Sequence, residues 1–324
     1  MSRHIESCSQ KIGIPSSQVS DIIPDSTPPP SELSTIIQKI SWLQMQRKFP
    51  KCALNNLTIL DADQSEFSWE EPALLLPSEV WAWEKPVSSE EIFRAVHILS
   101  LNLPAQHVLH GGEFVSNKDK DITVSNAFYQ AFTSLDDSDA SPKSTLMNIP
   151  LGSKFHRMQP SPTMKHQLQI VCEKDIDLLA NFAPAGSFVD IHIDHNRHGL
   201  SQSTGNSERI WLLYPPTDGN LKLFVPLLGE SGRLTKISSQ LTGGYIACVD
   251  STKVVYIPPG WLHSTFTTKS GCLVGINFES LEALQIMAKS VAIHLPSLHR
   301  TPNEFLDDFD HYTEAICYTT SNSV

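Results

Sequence analysis

The residues best suited to chemistry are two histidines and one aspartate, which lie in two distant segments of the chain. His192 and Asp194 belong to Phe188-Val-Asp-Ile-His-Ile-Asp194, and His263 ends Pro258-Pro-Gly-Trp-Leu-His263. Imidazole nitrogens and a carboxylate oxygen suit non-haem Fe(II), and three ligands on one face leave three positions open for a co-substrate and O₂. The residue types therefore predict an iron site.

The residues around the first pair predict a β-strand. Val189, Ile191 and Ile193 alternate with more polar residues, as half-buried strands require. Residues i and i+2 of a strand point to the same side, so His192 and Asp194 can share one metal ion.

Two more histidines follow closely, and we expect neither to be a ligand. His195 should point away from Asp194 if the strand continues. His198 lies in Asn196-Arg-His-Gly, which has the composition of a loop.

The segments around the second histidine follow one another in the order strand, turn and ligand. Glu208-Arg-Ile-Trp-Leu-Leu-Tyr-Pro-Pro-Thr217 has the pattern of a buried strand that ends at a proline turn. Val254-Val-Tyr-Ile257 precedes His263, and Gly271-Cys-Leu-Val-Gly-Ile-Asn-Phe278 follows it. Over roughly residues 145–290, this order resembles the Jumonji C (JmjC) family of Fe(II)/2-oxoglutarate oxygenases. The chain resembles a small fungal-type member of that family. The alternative is a cupin-like barrel with incidental histidines.

The resemblance implies a mostly β fold with flanking helices, a double-stranded β-helix of the cupin-like jelly-roll type. We expect a disordered, Ser- and Pro-rich tail over 1–31, a helical region packed on the barrel over 32–144, the JmjC barrel over 145–280, and a C-terminal helical segment over 281–324. Hydrophobic spacing and a Ser88–Glu91 capping box predict helices near 33–47, 88–102 and 281–293.

The resemblance also implies Fe(II) and 2-oxoglutarate as cofactors, with His192, Asp194 and His263 as metal ligands and catalytic centre. A second, buried carboxylate of 2-oxoglutarate needs a cation. Arg209 is the candidate, at a position where many members carry Lys; the alternative is a solvent-facing strand residue.

Three more positions bear on the co-substrate. Gln202 stands where some members place Asn or Tyr near the co-substrate, and Asn277 matches an Asn in the same strand of other members. Both are candidate co-substrate-binding residues, and the alternative is that backbone groups satisfy their side chains. Val189 stands where many members have a Thr whose hydroxyl helps to hold the same carboxylate, and a valine cannot donate a hydrogen bond.

The implied activity is a dioxygenase that hydroxylates a protein side chain or demethylates N-methyl-lysine, with a histone-like protein among the substrates. Two alternatives remain open. One is a catalytically weak regulatory or binding module, which Val189 and Arg209 motivate. The other is a small-molecule oxygenase of specialised metabolism.

The aromatic residues of the strand block are expected to be core residues rather than a methyl-lysine cage: Trp211, Tyr214, Tyr256 and Trp261.

Length and composition fit a soluble enzyme, and the acidic charge is compatible with a basic peptide substrate. The net charge is −11, and no run of Lys and Arg provides a nucleic-acid surface. The six cysteines form no Cys-x-x-Cys pair, which argues against a structural zinc module. No stretch approaches the apolar length of a membrane span. We expect a nuclear or cytoplasmic protein.

Overall fold

The computed structural model describes the segments around the predicted iron ligands almost completely. The described residues are 32–45, 49–54, 57–60, 68, 70–82, 88, 90–92, 94, 108–110, 113–114, 144–151, 160–167, 178–194, 197–278, 283–297, 309–310, 312–313 and 316–317. The predicted disordered tail lies outside them. The chain divides into two compact units, Met1–Thr35 and Ile36–Val324. Of the first unit the structure describes residues 32–35, which are helical.

The longest described helices are the first and the last. The helices are α1 (Glu32–Met45), α2 (Pro77–Val80), α3 (Pro162–Gln167), α4 (Asp218–Phe224), α5 (Arg233–Ile237) and α6 (Ala283–His294), with 3-10 turns at Val225–Leu227 and Leu295–Ser297. The predictions near 33–47 and 281–293 are therefore confirmed. None of the helices in the described part of the chain has the length and apolarity to span a bilayer.

The predicted capping box is present at the start of the second predicted helix. Ser88 N donates to Glu91 Oε2 over 2.9 Å, and Glu91 N donates to Ser88 Oγ over 3.2 Å. Residues 90–92 and 94 are helical, and the rest of the predicted segment 88–102 lies outside the described residues. This reciprocal pair satisfies backbone donors that a helix start otherwise leaves without partners.

The strands form two sheets. Sheet A contains, in spatial order, β1 (Leu57–Ile59), β10 (Gly244–Val249), β9 (Glu208–Tyr214), β12 (Leu262–Lys269) and β7 (Phe188–His192). Sheet B contains, in spatial order, β2 (Ala73–Leu75), β11 (Val254–Ile257), β8 (His198–Ser203), β13 (Gly271–Phe278), β6 (Leu179–Ala183), β5 (Ser144–Pro150), β3 (Val108–His110) and β4 (Glu113–Phe114).

The chain passes from one sheet to the other between β6 and β9 and again between β10 and β13. All pairings among these eight strands are antiparallel. This alternation is the double-stranded β-helix form of a jelly roll, in which two packed sheets share one core. The predicted fold, a mostly β barrel of cupin-like type with flanking helices, is confirmed.

Strands from the N-terminal region extend both sheets. β1 pairs in parallel with β10, and β2 pairs antiparallel with β11. Beyond β6, β5, β3 and β4 continue sheet B. The strands β1 to β4 lie within residues 32–144, which were predicted to be helical. Segments of two or three residues carry too little periodicity to be recognised.

One face of each sheet lines the barrel interior. A buried apolar cluster joins both sheets and consists of Leu60, Trp211, Leu213, Ala247, Val249, Val255, Ile257, Trp261 and Leu273. Because side chains alternate along a strand, every second residue from these positions also faces the interior. The opposite face of sheet A is covered by Phe49, whose ring lies 4.6 Å from that of Phe266 and 5.7 Å from that of Phe188.

An ion-pair network fixes α1 to the outer side of sheet A. Lys39 on α1 and Lys269 on β12 both donate to the carboxylate of Glu208 on β9, and Thr268 Oγ1 does so as well. Partial burial would raise the pKa of Glu208, but these donors outweigh burial and lower its pKa to about 2. The carboxylate therefore stays ionised well into acid.

This network predicts a pH-dependent contribution to stability. A carboxyl with a depressed pKa in the folded protein stabilises it above its unfolded pKa, and the contribution is lost as pH falls through the folded pKa. We expect Glu208→Gln to lower the free energy of unfolding by about 1 kcal/mol at pH 7, because both lysines are partly exposed and water screens them. In urea titrations, the difference from wild type should disappear between about pH 4.5 and 2. A difference that is constant over this range would contradict the assignment.

Candidate metal centre

Two neighbouring strands bring the predicted ligands together. His192 is the last residue of β7, Asp194 follows two residues later, and His263 is the second residue of β12. β7 and β12 pair with His263 directly opposite His192. Gly260 precedes β12 with a φ of +73°, a left-handed conformation that glycine adopts readily, and so turns the chain into the strand that carries His263.

The three side chains converge on one point. Their nearest ligand atoms all lie within 4.8 Å of one another. His192 Nε2 is 3.3 Å from Asp194 Oδ1, and His263 Nε2 is 3.5 Å from Asp194 Oδ2. The two imidazole centroids are 4.2 Å apart. This spacing allows one ion to contact all three side chains.

Backbone carbonyls orient both imidazoles. His192 Nδ1 lies 2.8 Å from Asp190 O, and His263 Nδ1 lies 3.1 Å from Trp261 O. A carbonyl oxygen only accepts hydrogen bonds, so each Nδ1 carries the proton and donates it. Each Nε2 is then free to act as a metal ligand, which is the usual arrangement of a metal-binding histidine.

The electrostatics of the triad favour a bound cation. Burial would raise the pKa of Asp194, but the nearby His263 and hydrogen bonds with both imidazoles hold it well below its ordinary value. Burial would lower the pKa of His263, but Asp194 and the Trp261 carbonyl raise it. Two imidazole nitrogens and a carboxylate are all acceptors when deprotonated, so a shared proton or a metal ion has to lie among them.

Asp190 holds β7 against α5. Its carboxylate accepts from Ile191 N over 2.8 Å, from Arg233 N over 2.8 Å and from Leu234 N over 3.0 Å. The same residue's carbonyl accepts from His192. One buried residue thus caps a helix start and orients a ligand, which leaves little freedom for the end of β7.

Arg209 is a buried cation close to this centre. Its side chain is 1% exposed. Its hydrogen bond runs from Nη2 to Asn181 O over 3.4 Å, and its buried Nε has no partner. No carboxylate among the described residues forms an ion pair with it. Burial lowers its pKa to about 10, so it remains charged at neutral pH. An isolated buried charge is costly, which makes this position suited to a bound anion.

The register of sheet A puts Arg209 on the same face as the ligand His263. β9 and β12 pair with Leu213 opposite His263, Trp211 opposite Thr265, and Arg209 opposite Thr267. Directly opposite residues share a face, and so do residues two apart. This face belongs to the barrel interior, because Trp211 and Leu213 are in the interior cluster.

Comparison with known proteins finds relatives whose names refer to histone or lysine demethylation. No family model matches the chain. It is 27% identical over 131 residues to a JmjC domain-containing histone demethylation protein 1 of Debaryomyces hansenii, which covers 37% of this chain and 25% of that protein. It is 24% identical over 133 residues to the Saccharomyces cerevisiae protein of the same name, with 40% and 27% covered. A mouse protein, lysine-specific demethylase 7A, is 27% identical over 144 residues, with 43% and 14% covered.

The chain is related to the JmjC domain family. The similarity covers a limited part of each protein, since the matched segment spans 27% or less of the length of these relatives. The relationship agrees with the jelly-roll barrel described above.

Asn277 is one of the two candidate co-substrate-binding residues that the JmjC resemblance suggested. It lies on the interior face of sheet B. It is half-buried and pairs with Gly199, beside Ile257 of the interior cluster. Among the described residues its amide makes no hydrogen bond.

Gln202 lies on the opposite face of sheet B, which corrects the expectation that it lies near the co-substrate. It is three residues from Gly199, and alternation along β8 turns it away from the interior. Trp81 Nε1 donates to Gln202 Oε1, and Gln202 Nε2 donates to Ser251 O, both over 2.8 Å. These partners account for the burial of its amide without a ligand.

His198 is also a correction, since it begins β8 rather than lying in a loop. It faces the outer side of sheet B, where its ring stacks on Phe278 at 5.0 Å and its Nδ1 lies 2.8 Å from the Tyr256 hydroxyl. Burial lowers its pKa to about 3, so it is neutral. Its outward orientation agrees with the expectation that it is no ligand, and His195 lies outside the described residues.

The four aromatic residues considered for a methyl-lysine cage are buried. Trp211, Tyr214, Tyr256 and Trp261 are each at most 5% exposed. Trp211 packs beside the metal centre, with its ring 6.1 Å from that of His263. These contacts agree with the expectation of core packing.

The metal centre predicts selective loss of metal affinity in a carboxylate variant. Asp194→Asn keeps the side-chain size and removes the charge that the cation requires. We expect its Mn(II) affinity to fall more than about 100-fold, because losing a ligand should exceed the 10–100-fold effect of losing a partner of a ligand. Calorimetric titration of the purified protein measures this. Asp218→Asn, an exposed carboxylate on α4, is the matched control and should bind Mn(II) as wild type does.

Proposed function

We propose that this protein is an Fe(II)- and 2-oxoglutarate-dependent dioxygenase of JmjC type. The observation that carries the proposal is that the His/Asp/His centre shares its interior face with Arg209, a buried cation that has no acidic partner among the described residues. A metal site alone fits many proteins. A metal site with a complementary charge deeper in the same barrel fits a co-substrate that chelates at one end and is anionic at the other.

His192, Asp194 and His263 would hold the iron. Two neutral imidazoles and one carboxylate are the donor set of non-haem iron oxygenases, and they leave coordination positions open. Hydrogen bonds from both Nδ1 atoms to carbonyls support this role, because they present Nε2 to the ion. Iron, 2-oxoglutarate and O₂ together would supply the oxidising power, and the chain supplies position and surroundings.

Arg209 would bind the distal carboxylate of 2-oxoglutarate. His263 and Thr267, which is opposite Arg209, are four residues apart on β12, or roughly 13 Å at about 3.3 Å per residue. A five-carbon dicarboxylate and an arginine side chain together can span that distance. The guanidinium fork would pair with the carboxylate in two hydrogen bonds, where the lysine of many JmjC members offers a point charge.

The walls of the pocket would exclude water. Trp211, between Arg209 and the metal centre, and Leu213, opposite His263, are buried on the interior face. They present apolar surface to the space in which a co-substrate would lie. A low local dielectric strengthens the contacts of the carboxylate with Arg209 and protects reactive species from solvent.

The substrate we propose is a protein side chain. The preferred candidate is N-methyl-lysine of a histone-like protein. The names of the relatives support this choice, since they are histone and lysine demethylases. A net charge of −11 is compatible with a basic peptide. The corresponding compartment is the nucleus. Hydroxylation of an N-methyl group releases formaldehyde, whereas hydroxylation of a carbon side chain leaves a stable product.

A second candidate is a regulatory JmjC module with weak or no catalysis. The specific observation in its favour is Val189, which lies on the metal-bearing strand β7 and offers no hydroxyl to the co-substrate. Such a module would retain its fold and peptide binding without producing succinate.

A binding and turnover experiment tests these candidates. Calorimetry without oxygen should give 2-oxoglutarate binding that depends on Fe(II). With oxygen, succinate should form, and di- or trimethyl-lysine histone peptides should increase it over the unmethylated peptide. Formaldehyde would identify demethylation, and a gain of one oxygen in the peptide mass would identify hydroxylation. Binding of peptide without succinate would favour the regulatory module.

Arg209 variants test the co-substrate anchor. Arg209→Ala should weaken 2-oxoglutarate binding by at least a hundredfold, because loss of one partner of a buried charge pair costs about 3–5 kcal/mol. Mn(II) affinity should stay close to that of wild type. Arg209→Lys should be milder, since it restores the charge. Arg94→Ala, on an exposed helical site, is the control. Unchanged 2-oxoglutarate affinity in Arg209→Ala would remove Arg209 from the site.

A further inference from the structure

The inner face of sheet A is organised in three rows across the strands. The first row holds the metal centre and contains His192, His263 and Leu213. The second row contains Val189, Thr265, Trp211 and Ala247. The third row contains Thr267, Arg209 and Val249. An anion that reaches from the metal centre to Arg209 therefore passes the second row.

Thr265 is the polar residue of this second row. It is 6% exposed and lies two residues from His263 along β12. Its neighbours in the row are Val189 on one side and Trp211 on the other. Among the residues that the structure describes, its hydroxyl makes no hydrogen bond. The neighbouring Ser264, on the opposite face, has its hydroxyl bonded to Val189 O over 2.8 Å.

We propose that Thr265 is a further co-substrate-binding residue, whose hydroxyl donates to the carboxylate that Arg209 holds. The proposal rests on the proposed function, because it concerns the same co-substrate. The hydroxyl that donates to the co-substrate carboxylate then comes from β12, the strand of the second histidine, and not from β7. Val189 cannot donate, and its cross-strand partner supplies the missing hydroxyl from the same row.

Its position favours Thr265 over the other threonine of this face. Thr265 lies between the metal row and the Arg209 row, where the carbon chain and distal carboxylate of a dicarboxylate would run. Thr267 is directly opposite Arg209, one row farther from the metal. The hydroxyl of Thr265 has no hydrogen-bond partner among the described residues, and a carboxylate is the strongest acceptor it could find in an otherwise apolar row.

Matched variants test this role through binding rather than turnover. Thr265→Val removes the hydroxyl and keeps the β-branched shape. We expect 2-oxoglutarate to bind the Mn(II)-loaded variant about tenfold or more weakly, as for a lost hydrogen bond to a charged group. Thr265→Ser should stay near wild type, and Mn(II) affinity should be unchanged in both variants. Thermal unfolding of each variant checks that the barrel is intact.

A double variant makes the test specific to the row. Val189→Thr combined with Thr265→Val moves the hydroxyl across the strand pair and should recover most of the lost affinity. In a turnover assay, Thr265→Val should raise the KM for 2-oxoglutarate more than it lowers kcat, because it removes a binding contact.

The outcomes separate this inference from the proposed function. If wild type binds no 2-oxoglutarate, the proposed function fails and this inference fails with it. If wild type binds 2-oxoglutarate and Thr265→Val binds it equally well, the role of Thr265 alone is overturned. The same holds if Thr267→Val, and not Thr265→Val, weakens binding.

Discussion

The antiparallel pairing of β12 with its neighbours β7 and β9 is the constraint on which the rest of the site depends. Pairing with β7 sets His263 against His192, and pairing with β9 sets Thr267 against Arg209. A shift of either register by one residue would turn one set of these side chains to the outer face. The jelly-roll alternation of strands between two sheets holds β12 inside sheet A, where it has partners on both sides.

Burial of a charge is the main energetic cost of this arrangement. Arg209 is fully buried, bonded through one nitrogen to Asn181 O, and has no acidic partner among the described residues. A core that evolved only for stability would be better served by an apolar residue. The retained charge is therefore best understood as a function-linked feature, whose cost is offset when an anion binds. The metal centre follows the same logic, since its three ligand atoms are all acceptors when deprotonated and one bound cation satisfies them together.

The support around the ligands is as specific as the ligands. Asp190 connects β7 to α5, and the carbonyls of Asp190 and Trp261 set the orientation of both imidazoles. On the outer face, Glu208 binds α1 while Arg209, the next residue, faces the interior. Alternation along β9 thus lets one strand hold a helix outside and a charge inside. Rigid strands of this kind keep the ligands in place more reliably than loops could.

The sequence by itself determined the local features: the iron-type donor set, the strand that carries His192 and Asp194, the helices α1 and α6, and the capping box at Ser88. These depend on residue type and on periods of two or 3.6 residues, which a short window contains. Only the tertiary structure decided which side chains face each other across strands. It turned Gln202 outward, brought His198 into β8 and set Thr265 opposite Val189. Cross-strand register joins residues that are distant in sequence, so no local pattern encodes it.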